Sequence, residues 1–272
     1  MRLLALTALV MLAFAANSVL NRMAVGAGAI DAESFAAIRL AAGAGVLALL
    51  VLLRGGALLK GASVAGVAGL LAYLFGFSAA YGRLDAGTGA LLLFGTVQVV
   101  MFAGALAGGE RLPPRRIAGA VLALAGLAVL LAPQGTGGIA AALAMVGAGI
   151  GWGIYSLAGR RATDALAATA GNFLLALPAG LVVAALAGAD PQAATQAGVG
   201  LAILSGAVTS GLGYALWYRI LPALGASRAA VAQLTVPLIA AAGGAALIGE
   251  GVGAGFALAA VLVLGGVALA SR

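Results

Sequence analysis

The stretch IAGAVLALAGLAVLLAPQGTGGIAAALAMVGAGIGWGIYSLAG, residues 117–159, runs for 43 residues without one Asp, Glu, Lys or Arg. About 20 apolar residues, rising 1.5 Å each, cross the hydrocarbon core of a bilayer. The run is too long for one crossing, and the turn formers PQGTGG at 133–138 divide it into two helices. Further uncharged runs at 3–21, 40–53, 61–82, 86–109, 165–189, 191–218, 229–249 and 251–271 supply eight more. The second is short unless it begins near Ala32 and takes Arg39 inside it. The expected fold is an all-α polytopic membrane protein of ten transmembrane helices.

Composition excludes the alternatives. Hydrophobic residues make up 64% of the 272 and charged residues 8%, with a mean hydropathy of +1.19. A soluble domain carries about a quarter charged residues, and disorder needs low hydrophobicity. The chain has no Cys and no His, so disulfides, thiolate metal sites, Ser-His hydrolysis and histidine relays are absent. Its single lysine, Lys60, lies in no phosphate-binding loop. The net charge of +7 is scattered between apolar runs, which points to topology rather than nucleic acid. No enzyme chemistry, metal or cofactor is expected.

With a cytoplasmic N-terminus, Arg2, Arg54, Lys60, Arg111, Arg115, Arg116, Arg160, Arg161, Arg219, Arg228 and Arg272 fall inside. Arg22 and Arg83 fall outside. The positive-inside rule therefore puts both termini in the cytoplasm, in a bacterial-type inner membrane. Residues 1–17 resemble a signal peptide in their Arg2, apolar run and Ala15-Ala16-Asn17. Nine spans follow, and the segment has a copy later in the chain, so it reads as a retained helix.

That copy belongs to an internal repeat at an offset of 138 to 140 residues. Phe14-Ala15-Ala16-Asn17-Ser18 matches Trp152-Gly153-Ile154-Tyr155-Ser156, and Arg22 falls on Arg160. Gly-Gly-Glu at 108–110 matches Ile-Gly-Glu at 248–250, and from each Glu it is 16 residues to Gly126 and Gly266. The halves, 1–134 and 135–272, form one membrane domain. Five helices per half is an odd number, so the second half is inverted, a device of alternating-access transporters.

Ten helices, two inverted halves and a Gly-Glu ending each fourth helix resemble the drug/metabolite transporter superfamily, EamA type. Segments 97–126 and 237–266 are similar to its signature, except that Pro237 has no proline partner where Val97-Gln98 stands. Within the superfamily the chain most resembles bacterial amino-acid exporters of the YddG-like kind. The resemblance implies a central cavity lined by helices 1–4 and 6–9, with helices 5 and 10 peripheral. The residues agree independently: 117–132 and 252–270 contain no polar side chain.

Candidate substrate-binding residues are Asn17, Tyr73, Phe77, Gln98, Trp152, Tyr155 and Tyr214. Phe14, Asn17, Ser18 and Asn21 share one helical face, matched by Trp152, Tyr155 and Ser156. Tyr73, Phe77 and Tyr81 recur at four-residue spacing, a pattern that packing also produces. Tyr81 and Trp217 lie near expected interfaces and fit an aromatic belt as well as a gate; Phe14 is a further gate candidate. Gln98 stands mid-membrane, where an amide facing lipid is costly. Arg39 either snorkels outward, pairs with Asp31 or Glu33, or anchors a carboxylate or gates the outer mouth.

The function expected is a secondary carrier exporting small amphiphilic metabolites, amino acids including aromatic ones first among them. Other metabolites, cationic drugs or a channel are the alternatives. The expected partners are a small-molecule substrate and the lipid bilayer; a monomer is compatible with this reading. Cysteines introduced singly at Gly137, Asp190 and Gly251 are expected to react with an impermeant reagent in intact cells. Those at Gly56 and Arg161 are not, and labelling at 161 contradicts the inverted topology.

Overall fold

Several helix starts are specified by single polar side chains. Asp31, Ser63, Asp164 and Thr195 each accept a hydrogen bond from the backbone N–H three residues on, at Ser34, Gly66, Ala167 and Gly198. Each satisfies a donor that the first helical turn leaves open. Gly188 and Gly249, at φ 86 and 70, end two helices in the left-handed turn that other residues rarely adopt.

The computed structural model describes residues 1–108, 114–131, 138–159, 162–233 and 235–270. The helices are α1 (Arg2–Val25), α2 (Ala32–Leu53), α3 (Val64–Tyr81), α4 (Ala86–Ala107), α5 (Pro114–Leu131), α6 (Gly138–Gly159) and α7 (Ala165–Leu186). They continue with α8 (Gln196–Leu204), a π-helical segment Ser205–Leu212, α9 (Gly213–Gln233), α10 (Thr235–Ile248) and α11 (Ala254–Ala270). Seven helical spans are long and apolar enough to cross a membrane, α8 continuing through the π segment into α9 to form one of them. Three shorter apolar helices bring the described spans to ten. As expected, α2 begins at Ala32 and carries Arg39 inside it.

One boundary differs from the sequence reading. The segment after 218, expected to connect two spans, is helical through Gln233, although it contains Pro222 and Gly225, and α10 is described from Thr235. The π segment has no periodic signature that sequence reading detects. Glu110, Arg160, Arg161 and the turn at 133–137 lie outside the described residues.

Lipid chains are as apolar as leucine, so helices in a bilayer associate through close packing. Helix α6 lies between α3 and α4 by this means. A Cβ built on Gly151 would stand 2.6 Å from the Gly69 carbonyl oxygen and 2.8 Å from the Tyr73 nitrogen. The reciprocal Cβ on Gly69 would stand 2.6 Å from the Gly151 carbonyl. Gly149 and Gly153 similarly admit Thr96 and Val100 of α4. Helices α5 and α11 pair on the outside of the bundle, with Val121, Leu124, Leu258 and Val261 exposed. Gly126 packs on Ala259, Leu262 and Val263, while Gly266 packs on Gly119, Leu122 and Ala123. The two contact sets are related by a shift of 140 residues and run antiparallel.

Gly147 is one turn from Gly151 on the same helix, yet a Cβ there meets nothing within 4 Å. Gly151→Ala is therefore expected to destabilise the protein by about 1–3 kcal/mol through overpacking. Gly147→Ala is expected to be neutral or slightly stabilising. Thermal unfolding of the two variants in one detergent checks the difference.

Candidate substrate site

Four-residue spacing stacks Tyr73, Phe77 and Tyr81 on successive turns of α3, and the neighbouring helices turn rings toward them. Trp152 of α6 is the hub. Its ring centroid lies 4.8 Å from Tyr73, 5.0 Å from Tyr214 and 6.5 Å from Phe14, and it stacks on Tyr155 at 5.3 Å. Phe14 of α1 meets Tyr214 at 5.8 Å and Trp217 at 5.7 Å. Phe77 bridges Tyr73 and Tyr81 at 5.2 and 4.7 Å. These separations are those of edge-to-face and offset aromatic pairs. No ring is more than 7% exposed, so the cluster is closed to solvent on both sides.

The structure thus brings eight of the eleven candidates into one ring cluster. Tyr81 and Trp217 are buried rather than belted at an interface; Tyr81 donates a hydrogen bond to the Ala86 carbonyl at 3.3 Å. Asn17 lies on the matching face, but its amide oxygen already accepts hydrogen bonds from Ser205 (2.8 Å) and Thr209. It ties α1 to the π segment. Gln98 is half-buried on α4 and forms no hydrogen bond among the described residues.

Arg39 neither snorkels nor pairs with Asp31 or Glu33. It is 0% exposed, donating from Nε to Ser210 Oγ at 3.0 Å and from Nη2 to the Tyr73 hydroxyl at 2.7 Å. Its guanidinium carbon lies 5.1 and 4.9 Å from the Tyr73 and Phe77 ring centroids. The π turn presents Ser210 to it, and Gly206 in that turn lets the segment reach the Arg39 backbone. π turns inside α-helices recur at functional sites. Sequence reasoning missed Ser205, Thr209 and Phe173, whose ring lies 6.0 Å from Tyr214. The only signal for the first two was the small-residue string SGAVTSGLG at 205–213.

Each end of the bundle is joined by an ion pair. At one end, Arg22 Nε donates to Glu250 Oε1 at 2.8 Å and Nη1 to the Tyr81 carbonyl at 3.2 Å; Asp85 lies 3.6 Å from Nη2. Glu250 Oε2 also accepts from the Ala86 N–H at 2.8 Å, placing a carboxylate on the positive N-terminus of α4. At the opposite end, Arg54 Nη2 contacts both oxygens of Asp164 at 2.6 Å. That guanidinium holds the Asp164 carboxyl below its usual range. Glu250 thus anchors the C-terminal end of α1 to the N-terminus of α4.

Residues 139–272 match the model of the EamA-like transporter family. The chain is 48% identical to an uncharacterized protein of Pseudomonas aeruginosa over 98% of this chain and 94% of that one. A solved crystal structure superposes with a TM-score of 0.65, covering 95% of this chain and 94% of the other at 22% identity, and shares the fold. The EamA-like match over the second half of the chain supports a place in the drug/metabolite transporter superfamily, and with it a multi-pass membrane protein of a small-molecule transporter type.

Glu250→Gln removes the charge opposite Arg22, whose side chain is 22% exposed against 11% for Glu250. The variant is expected to lose about 1.5–3 kcal/mol, the range for a hydrogen bond to a charged group. Asp85→Asn, at a 40% exposed side chain, is expected to lose less than about 1 kcal/mol. Unfolding midpoints in detergent give the order, and equal losses would contradict this anchoring role.

Proposed function

We propose that this protein is a secondary carrier that exports small amphiphilic metabolites, amino acids including aromatic ones first among them, in the manner of the YddG-like exporters. The membrane is the bacterial inner membrane, with both termini cytoplasmic. The halves 1–134 and 135–272 act as inverted repeats, and exchange of their conformations opens the site to each side in turn. The reciprocal packing of Gly126 and Gly266 supports this arrangement. So do the helix pairs: exchanging the halves leaves α2 on α7, α5 on α11 and α4 on α10 unchanged. The same exchange swaps α3 on α6 for the eighth span on α1.

One observation carries the substrate reading. Rings from α1, α3, α6 and α9, drawn from both halves, meet at Trp152. Such a wall holds an apolar side chain by contact and excludes water. Binding requires the rings to part, which occurs when one half moves on the other. The Arg22–Glu250 and Arg54–Asp164 pairs close the two ends and break in alternation. No described acid lies within the ring cluster, so transport follows the substrate gradient without a buried proton carrier.

Trp152→Ala is expected to reduce transport of bulky amino acids into liposomes about tenfold or more, the equivalent of about 1.4 kcal/mol of lost contact. Membrane insertion is unaffected, because alanine is readily accommodated in a transmembrane helix. Leu124→Ala and Leu262→Ala, on the outer helices α5 and α11, are expected to leave uptake within about twofold of the original. If Trp152→Ala transports as well as these controls, the rings serve packing alone.

A further inference from the structure

Arg39 is a full positive charge at zero exposure with neutral partners only. A guanidinium has five N–H donors. Nε and Nη2 are engaged by Ser210 and Tyr73, while Nη1 is buried without a hydrogen-bond partner. None of the ion pairs among the described residues includes Arg39. A charge so placed is costly inside a bilayer and is retained where it serves a ligand or pathway. Crosslinking α2 to α3 and the π segment needs hydrogen bonds but not a charge.

We infer that Arg39 is the anion-binding centre of the site. It takes the carboxylate of the cargo at Nη1 and makes net charge a determinant of specificity. The inference rests on the carrier reading above and changes its cargo order: within the small amphiphilic metabolites, monoanions come ahead of the zwitterionic amino acids. Amphiphilic aromatic monocarboxylates, such as hydroxy or oxo acids, are preferred over zwitterions of the same shape, and cations are rejected.

Tyr73 supplies the geometry. Its hydroxyl holds Nη2 while its ring lies 4.8 Å from that of Trp152, so a carboxylate on Arg39 has the aromatic wall beside it. An ammonium finds no matching acid. Among the described residues Asp31, Glu33, Asp85 and Asp164 stand at helix N-termini, and Asp190 and Glu250 in the connections between helices. The Asn17 carbonyl on the matched face already accepts from Ser205 and Thr209, and the Asn21 carbonyl, buried without a partner, is neutral and offers an ammonium no balancing charge. A site of net positive charge is neutralised by a cargo of one negative charge and left charged by a zwitterion. The cationic-drug alternative meets like-charge repulsion. A departing monoanion also draws on the inside-negative membrane potential, which sustains an outward gradient of about 50-fold per 100 mV. Export then needs no proton-carrying carboxylate.

Both tryptophans of the chain, Trp152 and Trp217, belong to the ring cluster, so intrinsic fluorescence reports binding to the purified full chain. Three probes share one body: 3-phenyllactate, phenylalanine and phenylalaninol, with net charges of minus one, zero and plus one at neutral pH. Phenyllactate is expected to bind about tenfold or more tighter than phenylalanine, and phenylalaninol weakest. Arg39→Gln is expected to weaken both acids, phenyllactate about tenfold more than phenylalanine, so that the preference between them is lost, and Arg39→Lys to keep part of the preference. In liposomes, an inside-negative potential is expected to speed phenyllactate efflux and not phenylalanine efflux.

Phenylalanine binding as tightly as phenyllactate overturns the inference, and does so from the unsubstituted protein even if Arg39→Gln fails to fold. An unchanged preference in folded Arg39→Gln also overturns it. Should phenylalanine be bound and transported without preference for the acid, the carrier reading stands and the anion site falls. Should phenyllactate bind through Arg39 yet cross no bilayer, the anion site stands and the carrier reading falls.

Discussion

Helices immersed in lipid gain nothing by excluding water from one another, so their association depends on how closely two backbones approach. In this protein the approach is set where Gly69 and Gly151 place α3 and α6 in contact, carbonyl against α-carbon. Everything at the centre of the bundle follows from it. Tyr73 is one turn beyond Gly69, and Trp152 is the neighbour of Gly151. Bringing the glycines together therefore brings those two rings to 4.8 Å. The ring hub and the backbone contact are one feature seen on two levels.

The charge at Arg39 depends on the same contact. Tyr73, positioned by the α3–α6 approach, is the hydroxyl that holds Nη2, and its ring lies beneath the guanidinium with that of Phe77. The third support comes from the π segment, whose widened turn offers Ser210 while Gly206 admits the α2 backbone. Aromatic faces carry partial negative charge and moderate the cost of the buried cation. They do not neutralise it. The cluster is stable enough to persist closed and retains an unmet electrostatic demand, the combination a binding site requires.

Much of this was legible in the sequence because bilayer physics leaves few options. Run lengths alone located the start of α2 at Ala32, since 40–53 was too short to span. Four-residue spacing on α3 and the matched faces of the first and sixth spans gave the rings that meet at Trp152. What escaped was long-range or non-periodic. Phe173 joins the cluster through the packing of α7 on α2, which no local pattern encodes. The π segment is a hydrogen-bonding choice that small residues permit without demanding. Gln98, costly if it faced lipid, is half-buried on α4. Arg39 was recognised as anomalous, but only three dimensions show that its partners are neutral.

The two halves match most closely in scaffold and least in chemistry. Gly126 and Gly266 occupy equivalent positions and make equivalent contacts. At the 138-residue offset, however, Arg39 falls on Leu177, Phe14 on Trp152 and Asn17 on Tyr155. If the halves exchange conformation as proposed, equivalent packing in both keeps the cost of the exchange small. Varying the residues that face the bundle's centre places one charge, on one half only, beside a wall made by both. A binding site at such an interface is then asymmetric even where its scaffold is not. On the reading proposed above, the cargo's polar head addresses one half while its apolar body contacts both, so motion of the halves would pass the cargo's contacts from one side to the other without releasing its head.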